Sequence, residues 1–179
     1  LVVFLRFLKG FIVLSLVLIL QLELFASIRF FGVMPELMLG VAIAAGWNGG
    51  SSRGAVVGFI GGMSIDLYLA TPLGLSALTY SIIGYLIGIV AEIVAEDVEK
   101  IVRLVISIAT VAFGLVLFVL FGELIAEPNL YNKNFGKILV VGSLYTGIFI
   151  PVLHYLMSWV FYEAKYPTNP RTINRSQLI

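Results

Sequence analysis

Buried carboxylates are the groups of this 179-residue sequence whose chemistry most needs an explanation, because 60% of its residues are hydrophobic and only 12% are charged. An ionisable group in an apolar segment is costly and usually faces a cavity or a binding site. The candidate residues of a buried polar cavity are Glu36, Asp66, Tyr68, Ser76 and Tyr80. In the alternative, structural interpretation, Asp66 only fixes the packing of helices. Its hydrogen-bond donor is then a hydroxyl of Ser76, Thr79 or Tyr80.

A second polar pair is expected at the opposite ends of the helices. At a rise of about 1.5 Å per residue, Glu92 and His154 fall at matching depths in their predicted helices, so the two side chains can form a pair. In the competing interpretation His154 is a packing residue, which is the more frequent role of a lone histidine.

Catalytic and metal-binding motifs are missing from the sequence. One histidine and no cysteine leave few pairs of a nucleophile and a base. Ser51 is not framed as G-x-S-G, and neither H-E-x-x-H nor a paired acidic metal motif occurs. The sequence therefore predicts no enzyme, no metal site and no cofactor, and its apolar composition argues against a partner nucleic acid.

Six apolar segments must position these side chains, since a bilayer-spanning helix needs about 20 residues. Helices are predicted over residues 7–30, 35–47, 53–70, 72–96, 98–126 and 135–163. Pro35 and Pro72 suit the first turns of two helices, Thr71 and Asp97 suit caps, and Ser51 and Ser52 offer capping hydroxyls. The first segment has no A-x-A cleavage site and is interpreted as a mature helix. We expect one all-α, six-helix transmembrane domain over residues 1–164 and a short tail over 165–179.

The distribution of cations predicts the orientation. Six spans place both termini on one side of the membrane. That side holds eight of the eleven lysines and arginines, namely Arg6, Lys9, Arg53, Lys100, Arg103, Lys165, Arg171 and Arg175. Arg29, Lys133 and Lys137 fall on the other side. By the positive-inside rule, the tail and both termini are predicted to be cytoplasmic.

Glycines recur inside two of the predicted helices. Gly54, Gly58 and Gly62 are spaced by four residues with Gly61 beside them, and Gly84 and Gly88 repeat the spacing in the next helix. Small residues at this spacing let helix backbones approach closely in lipid. The six glycines form either a packing face within the chain or a face to which the transmembrane helix of a partner docks.

Three ordered blocks of sequence resemble the MreD family of bacterial rod shape-determining proteins. They are M-P-E-L-M-L from Met34, R-G-A-V-V-G-F-I-G-G-M-S-I-D-L from Arg53, and P-L-G-L-S-A-L-T-Y from Pro72, which is followed by G-Y-L-I-G from Gly84. The family has a P-D-L-like start to helix 2, G-F-x-x-G-x-x-x-D in helix 3 and L-G-x-x-A-L opening helix 4. This sequence departs from the pattern at Glu36, where aspartate is usual, and at Ser76, where many relatives have histidine.

The resemblance implies a non-enzymatic subunit of the cell-wall elongation machinery in the bacterial cytoplasmic membrane. Its implied partner is MreC, a single-pass membrane protein, and it would act alongside the actin-like MreB, the glycosyltransferase RodA and a class B penicillin-binding protein. The implied fold is similar to the six-helix S-components of energy-coupling-factor transporters. In the expected mechanism the glycine face docks the MreC helix, and the basic loops face MreB or anionic membrane lipid.

The alternative function is a substrate-binding S-component or another small-molecule transporter subunit. S-components typically carry an A-x-x-x-A pattern on helix 1, which this sequence lacks. A solute pocket also needs several converging aromatic and polar groups. Asp66, Tyr68 and Tyr80 supply only a partial set.

Overall fold

Six α-helices follow one another in the computed structural model, which describes residues 2–69, 72–94, 98–125 and 135–165, with the backbone alone at 2, 3, 5, 6 and 162–165. Helix α1 runs from Val2–Ile19 through a π-helical turn, Leu20–Leu24, to a last α turn, Phe25–Ser27. The others are α2 Leu37–Gly49, α3 Ser51–Tyr68, α4 Leu75–Ile93, α5 Lys100–Leu124 and α6 Phe135–Lys165. Each predicted helix is thus present, and the described residues contain no strand.

Four of the helices are long and apolar enough to cross a membrane. The segments are Phe7–Ser27, Leu75–Ile93, Lys100–Leu124 and Phe135–Phe161. Helix α2 is apolar but shorter, and α3 is diluted by glycine and polar residues. The number of six membrane spans therefore stays a prediction, as does the cytoplasmic position of the termini.

Helix α2 forms the centre of the bundle although it is the shortest helix. Its residues from Leu37 to Gly46 are all buried, and every other helix packs against it. A helix that is apolar around its whole circumference must be shielded from water by protein or lipid, and for α2 the shield is protein. The remaining helices therefore surround α2, and their outer faces carry exposed apolar side chains.

Among the described helices only α6 begins at its predicted residue; α1 begins at Val2, α2 at Leu37, two residues after Pro35, and α5 at Lys100. Helix α4 begins at Leu75, three residues after Pro72, because Gly74 adopts a left-handed conformation with φ +98°. Helix α3 begins at Ser51 after Gly50, and no local hydroxyl caps it. The proposed caps Thr71 and Asp97 lie outside the described residues, as does the tail beyond residue 165.

Candidate functional site

Helices α3 and α4 pack with their backbones in contact along a glycine seam formed by Gly54, Gly58 and Gly62 of α3 and Gly84 and Gly88 of α4. A Cβ atom built on Gly58 would lie less than 3.0 Å from the Tyr80 carbonyl, and one on Gly62 equally close to the Ser76 carbonyl. At Gly54 and Gly84, each added Cβ would meet the carbonyl of the other glycine. Only glycine permits this approach, since any side chain would separate the helices.

The seam is internal to the chain. The backbone groups that its glycines meet belong to the chain's own helices. This arrangement corresponds to the first alternative from the sequence, a packing face within the chain. Gly61 points elsewhere: its added Cβ would lie 3.7 Å from Met38 Sδ and 3.8 Å from Leu14 Cδ2, which is ordinary contact. A partner helix at the seam would have to displace α4, so a partner needs another surface.

Asp66, near the end of α3, caps the start of α4. Its carboxylate accepts hydrogen bonds from the backbone N–H groups of Gly74 at 2.9 Å, Ser76 at 3.1 Å and Ala77 at 3.1 Å. The first N–H groups of a helix have no partner within the helix, and the helix dipole favours a negative charge at this end. Asp66 is only 1% exposed, so these bonds offset the cost of burying its carboxylate.

The donors that the sequence proposed for Asp66 were hydroxyl groups, but the bonds described are made by backbone N–H groups. Ser76 takes part through its main chain. The Thr79 hydroxyl donates to the Leu75 carbonyl at 2.8 Å, and the Tyr80 hydroxyl donates to Glu36. Spacing along a sequence shows which residues reach the same depth, but not which group of each residue points inward.

Glu92, near the end of α4, makes the matching cap at the start of α3. Its Oε1 atom accepts from the backbone N–H of Ser51 at 2.8 Å and from the Ser51 hydroxyl at 2.9 Å. Each helix of the α3–α4 pair is thus capped by a carboxylate from the end of the other. The reciprocal caps fix the ends of the seam, and its glycines fix the middle.

The predicted pair of Glu92 and His154 does not form. Glu92 binds Ser51, whereas Nδ1 of His154 lies 3.0 Å from the Asn48 amide nitrogen and Nε2 lies 3.4 Å from Arg103 Nη1. The two residues match in depth along their helices, but depth does not fix the direction around the helix axis. In the bundle they face different neighbours.

A second group of polar side chains, the Glu36 cluster, joins four segments of the chain: the buried Gln21, Tyr80 and Thr146 and the partly buried Glu36. Oε2 of Glu36 accepts from Tyr80 at 2.9 Å and from the Gln21 amide at 3.2 Å. The Glu36 N–H donates to the Thr146 hydroxyl at 2.9 Å, and Gln21 Oε1 accepts from the N–H of Met38 at 2.8 Å. The cluster ties α1, α4 and α6 to the start of α2.

Gln21 and Thr146 were not among the residues singled out in the sequence. Gln21 is 1% exposed and lies within the π-helical turn of α1, and Thr146 is fully buried. Such turns change the direction of side chains and occur often at functional sites. The available signal was a polar residue inside a long apolar run, where contact with lipid would be costly.

The five predicted cavity residues are divided by the structure. Glu36 contacts Tyr80, and Asp66 contacts Ser76, whereas Tyr68 is 70% exposed and joins neither. Two cavities of about 500 and 530 Å³ are lined by other residues. The polar side chains of both groups thus form hydrogen bonds between helices. This agrees with the interpretation that they fix helix packing.

Replacing Tyr80 with phenylalanine should weaken the Glu36 cluster. Removing the hydroxyl takes away one donor to the partly buried carboxylate of Glu36. The loss is expected to cost about 1–3 kcal/mol, measured as a lower midpoint of thermal unfolding in detergent. Tyr85→Phe on the same helix is the control, because this ring is 47% exposed and its hydroxyl has no described partner. Equal midpoints for the two variants would contradict a stabilising role for the cluster.

Among the residues that the structure describes, no group of three or more His, Asp or Glu side chains lies close enough to hold a metal ion.

The fold and the site define a helical membrane protein whose glycines and buried polar groups hold its own helices together. The family model described as rod shape-determining protein MreD matches residues 3–160. The chain therefore belongs to the MreD family, whose members determine rod shape. A search of curated proteins finds no match, and a search of solved structures finds none, so the likeness to S-components stays a prediction.

Proposed function

We propose that this protein is a non-enzymatic scaffold subunit of the cell-wall elongation complex and that its direct partner is MreC. The observation that carries the proposal is the family match over residues 3–160, which favours rod-shape determination over the transporter alternative. The internal geometry supports it, because the carboxylates of Asp66 and Glu36 are engaged by hydrogen-bond donors of the chain and neither lines the cavities of about 500 and 530 Å³. MreB, RodA and the penicillin-binding protein are reached indirectly.

The proposed orientation places both termini in the cytoplasm. The starts of α3 and α5 then lie at the cytoplasmic face, together with the cations Arg53, Lys100 and Arg103. This orientation follows the positive-inside rule. It presents basic groups to the surface at which MreB or anionic lipid would be met.

The groove between α1, α3 and α6 is the surface that we assign to the MreC helix. It has a volume of about 500 Å³ and is lined by Gly10, Phe11, Ser52, Val56, Ile60 and Phe161, among others. Ser52–Ile60 extends for about 12 Å at 1.5 Å per residue, which is two helical turns. Gly10 and Ser52 are small enough for a second helix to approach between the larger side chains. The glycine seam supports this groove by holding α3 in place.

Cysteine cross-linking tests the assignment, because the sequence contains no cysteine and each variant therefore carries a single thiol. Phe11→Cys and Val56→Cys, in the groove, are expected to form disulfides with cysteines placed along the MreC transmembrane helix in native membranes. Val105→Cys is the control, since this side chain is 60% exposed on α5 and does not line the groove. Cross-linking should follow a helical period of 3.6 residues along MreC.

Two results would contradict the proposal at different levels. Cross-links at Val105 but at neither groove position would overturn the assigned surface and leave MreC binding in place. Failure of MreC to co-purify with the unmodified protein in mild detergent, together with the absence of cross-links at all three positions, would overturn the partner itself.

A further inference from the structure

A cavity of about 530 Å³ between α2, α5 and α6 collects cationic and polar groups near the start of α5. Its polar lining consists of Trp47, Lys100, Arg103, Ser107, His154, Tyr155 and Ser158. The volume is in the range of small-molecule sites. Lys100 is the first residue of α5 and Arg103 lies one turn further on, so both cations are at one end of the bundle.

The guanidinium of Arg103 is held in position but lacks an acceptor for most of its N–H groups. It lies over the Trp47 ring, with 5.1 Å from Cζ to the ring centroid. This cation–π contact holds the guanidinium against the ring and supplies no hydrogen-bond acceptor to its N–H groups. The buried Nε has no hydrogen-bond partner. Across the described residues, neither Arg103 nor Lys100 has a carboxylate partner.

The position of Trp47 is itself fixed from the other side. Its indole N–H donates to the Ser107 hydroxyl at 3.0 Å, and this hydroxyl donates to the Arg103 carbonyl at 2.8 Å. Trp47 and Arg103 are thus coupled through both side chain and backbone. The cationic end of the cavity is therefore a preorganised group of side chains.

His154 is a weak partner for the guanidinium. Nε2 of His154 lies 3.4 Å from Arg103 Nη1, and which of the two nitrogens donates depends on the histidine tautomer. The Asn48 amide nitrogen donates to the Ala44 carbonyl at 2.8 Å and lies 3.0 Å from Nδ1 of His154. A contact of 3.4 Å is long for a hydrogen bond, so an oxygen anion beside Arg103 would be a stronger acceptor for its N–H groups.

The rest of the cavity is apolar and opens sideways. Ile101, Leu104, Ile150 and Pro151 form its wall. At its rim, Ile101 is 71% exposed and Tyr155 is 72% exposed, both on faces that meet lipid in a membrane-spanning bundle. A soluble anion gains nothing from such a wall, whereas an acyl chain buries apolar surface along it.

We propose that this cavity binds the phosphate group of an anionic phospholipid, with the acyl chains along its apolar wall. Arg103 and Lys100 are the donors to the phosphate oxygens. Basic pockets between membrane helices bind anionic headgroups in this way. The inference concerns a lipid site and does not depend on the proposed binding of MreC.

Fluorescence quenching by brominated lipid tests the proposal. The chain has two tryptophans, so a Trp159→Phe background leaves Trp47, next to Arg103, as the only indole. The protein is reconstituted in phosphatidylcholine vesicles that contain increasing fractions of brominated phosphatidylglycerol or of brominated phosphatidylcholine. Half-maximal quenching of Trp47 should need a smaller mole fraction of brominated phosphatidylglycerol than of brominated phosphatidylcholine. We expect a difference of about fivefold for each cation that binds the headgroup, equivalent to about 1 kcal/mol per cation.

The variants separate the site from the general basicity of this end of the bundle. Arg103→Gln should remove most of the preference for phosphatidylglycerol. Arg103→Lys should keep part of the preference, which would show that the loss in Arg103→Gln is not caused by misfolding. Arg53→Gln is the matched control, because Arg53 lies over Phe161 and lines the other cavity. Equal quenching by both lipids, or a preference that survives Arg103→Gln, would overturn the site. Loss of the preference in excess inorganic phosphate would overturn the lipid as the source of the phosphate.

Discussion

Replacing Gly58 with alanine is expected to separate α3 from α4 and to cause one of the largest losses of stability that a single methyl group can cause in this protein. The new Cβ would lie less than 3.0 Å from the Tyr80 carbonyl, and a backbone group cannot turn aside as a flexible side chain can. Overpacking costs about 1–3 kcal/mol where side chains can adjust. We expect a decrease in the thermal midpoint in detergent of about 5–10 °C, measured by the fraction that stays monodisperse after heating.

Gly61→Ala is the control for this variant, three residues away on the same helix. Its Cβ would make ordinary contacts with the side chains of Met38 and Leu14. Alanine is favoured over glycine within a helix by about 1 kcal/mol, so Gly61→Ala should leave the midpoint unchanged or raise it. A decrease as large as that of Gly58→Ala would show that the loss arises from the helix itself and not from the seam.

The same pair of variants distinguishes a seam that supports the MreC surface from one that forms it. If the seam is a support, Gly58→Ala loses MreC and thermal stability together, and Gly61→Ala keeps both. If Gly58→Ala reduces MreC binding but leaves the thermal midpoint of the isolated protein unchanged, MreC contacts the seam directly. The seam would then not be closed by α3 and α4 alone.

The sequence predicted the helices well because their signals are local. Apolar runs of membrane-spanning length, broken by Gly, Pro and Asn, place each helix to within about six residues of its observed ends. Gly54, Gly58 and Gly62 also predicted a close approach of backbones, because a spacing of four brings residues to one face. The periodicity does not say which helix lies opposite, and only the structure shows that it is α4.

The polar contacts were harder to predict because they depend on rotation about the helix axes. Glu92 and His154 match in depth but face different neighbours, and Asp66 binds main-chain groups, which carry no sequence signal. Gln21 reaches the Glu36 cluster from a π-helical turn. The hydrophobic pattern of α1 predicts a regular helix there, and the extra residue of a π turn changes the direction of its side chains.

Replacing Asp66 with alanine is expected to uncap α4 and to destabilise the α3–α4 pair most strongly among the polar substitutions. The carboxylate accepts from three backbone N–H groups, and a methyl group in its place would leave them without this acceptor in a site that excludes water. Loss of a cap costs up to about 2 kcal/mol, and each further buried donor left unsatisfied costs about 1–3 kcal/mol. We expect a total of about 2–5 kcal/mol, seen as a lower thermal midpoint and reduced protein in the membrane.

Asp66→Asn shows whether two acceptor oxygens are needed. Oδ2 of Asp66 accepts from Gly74 and Ala77, and Oδ1 accepts from Ser76. An amide whose oxygen takes the Oδ2 position keeps the bonds from Gly74 and Ala77 but turns its NH₂ donor toward the Ser76 N–H, and the negative charge at the start of α4 is lost. Part of the stabilisation should therefore be lost. Ser64→Ala is the control on the same helix, because its hydroxyl bonds only to the Ile60 carbonyl of its own helix, and its effect should stay within about 0.5 kcal/mol. A midpoint for Asp66→Asn equal to that of the unmodified protein would show that α4 does not depend on this carboxylate.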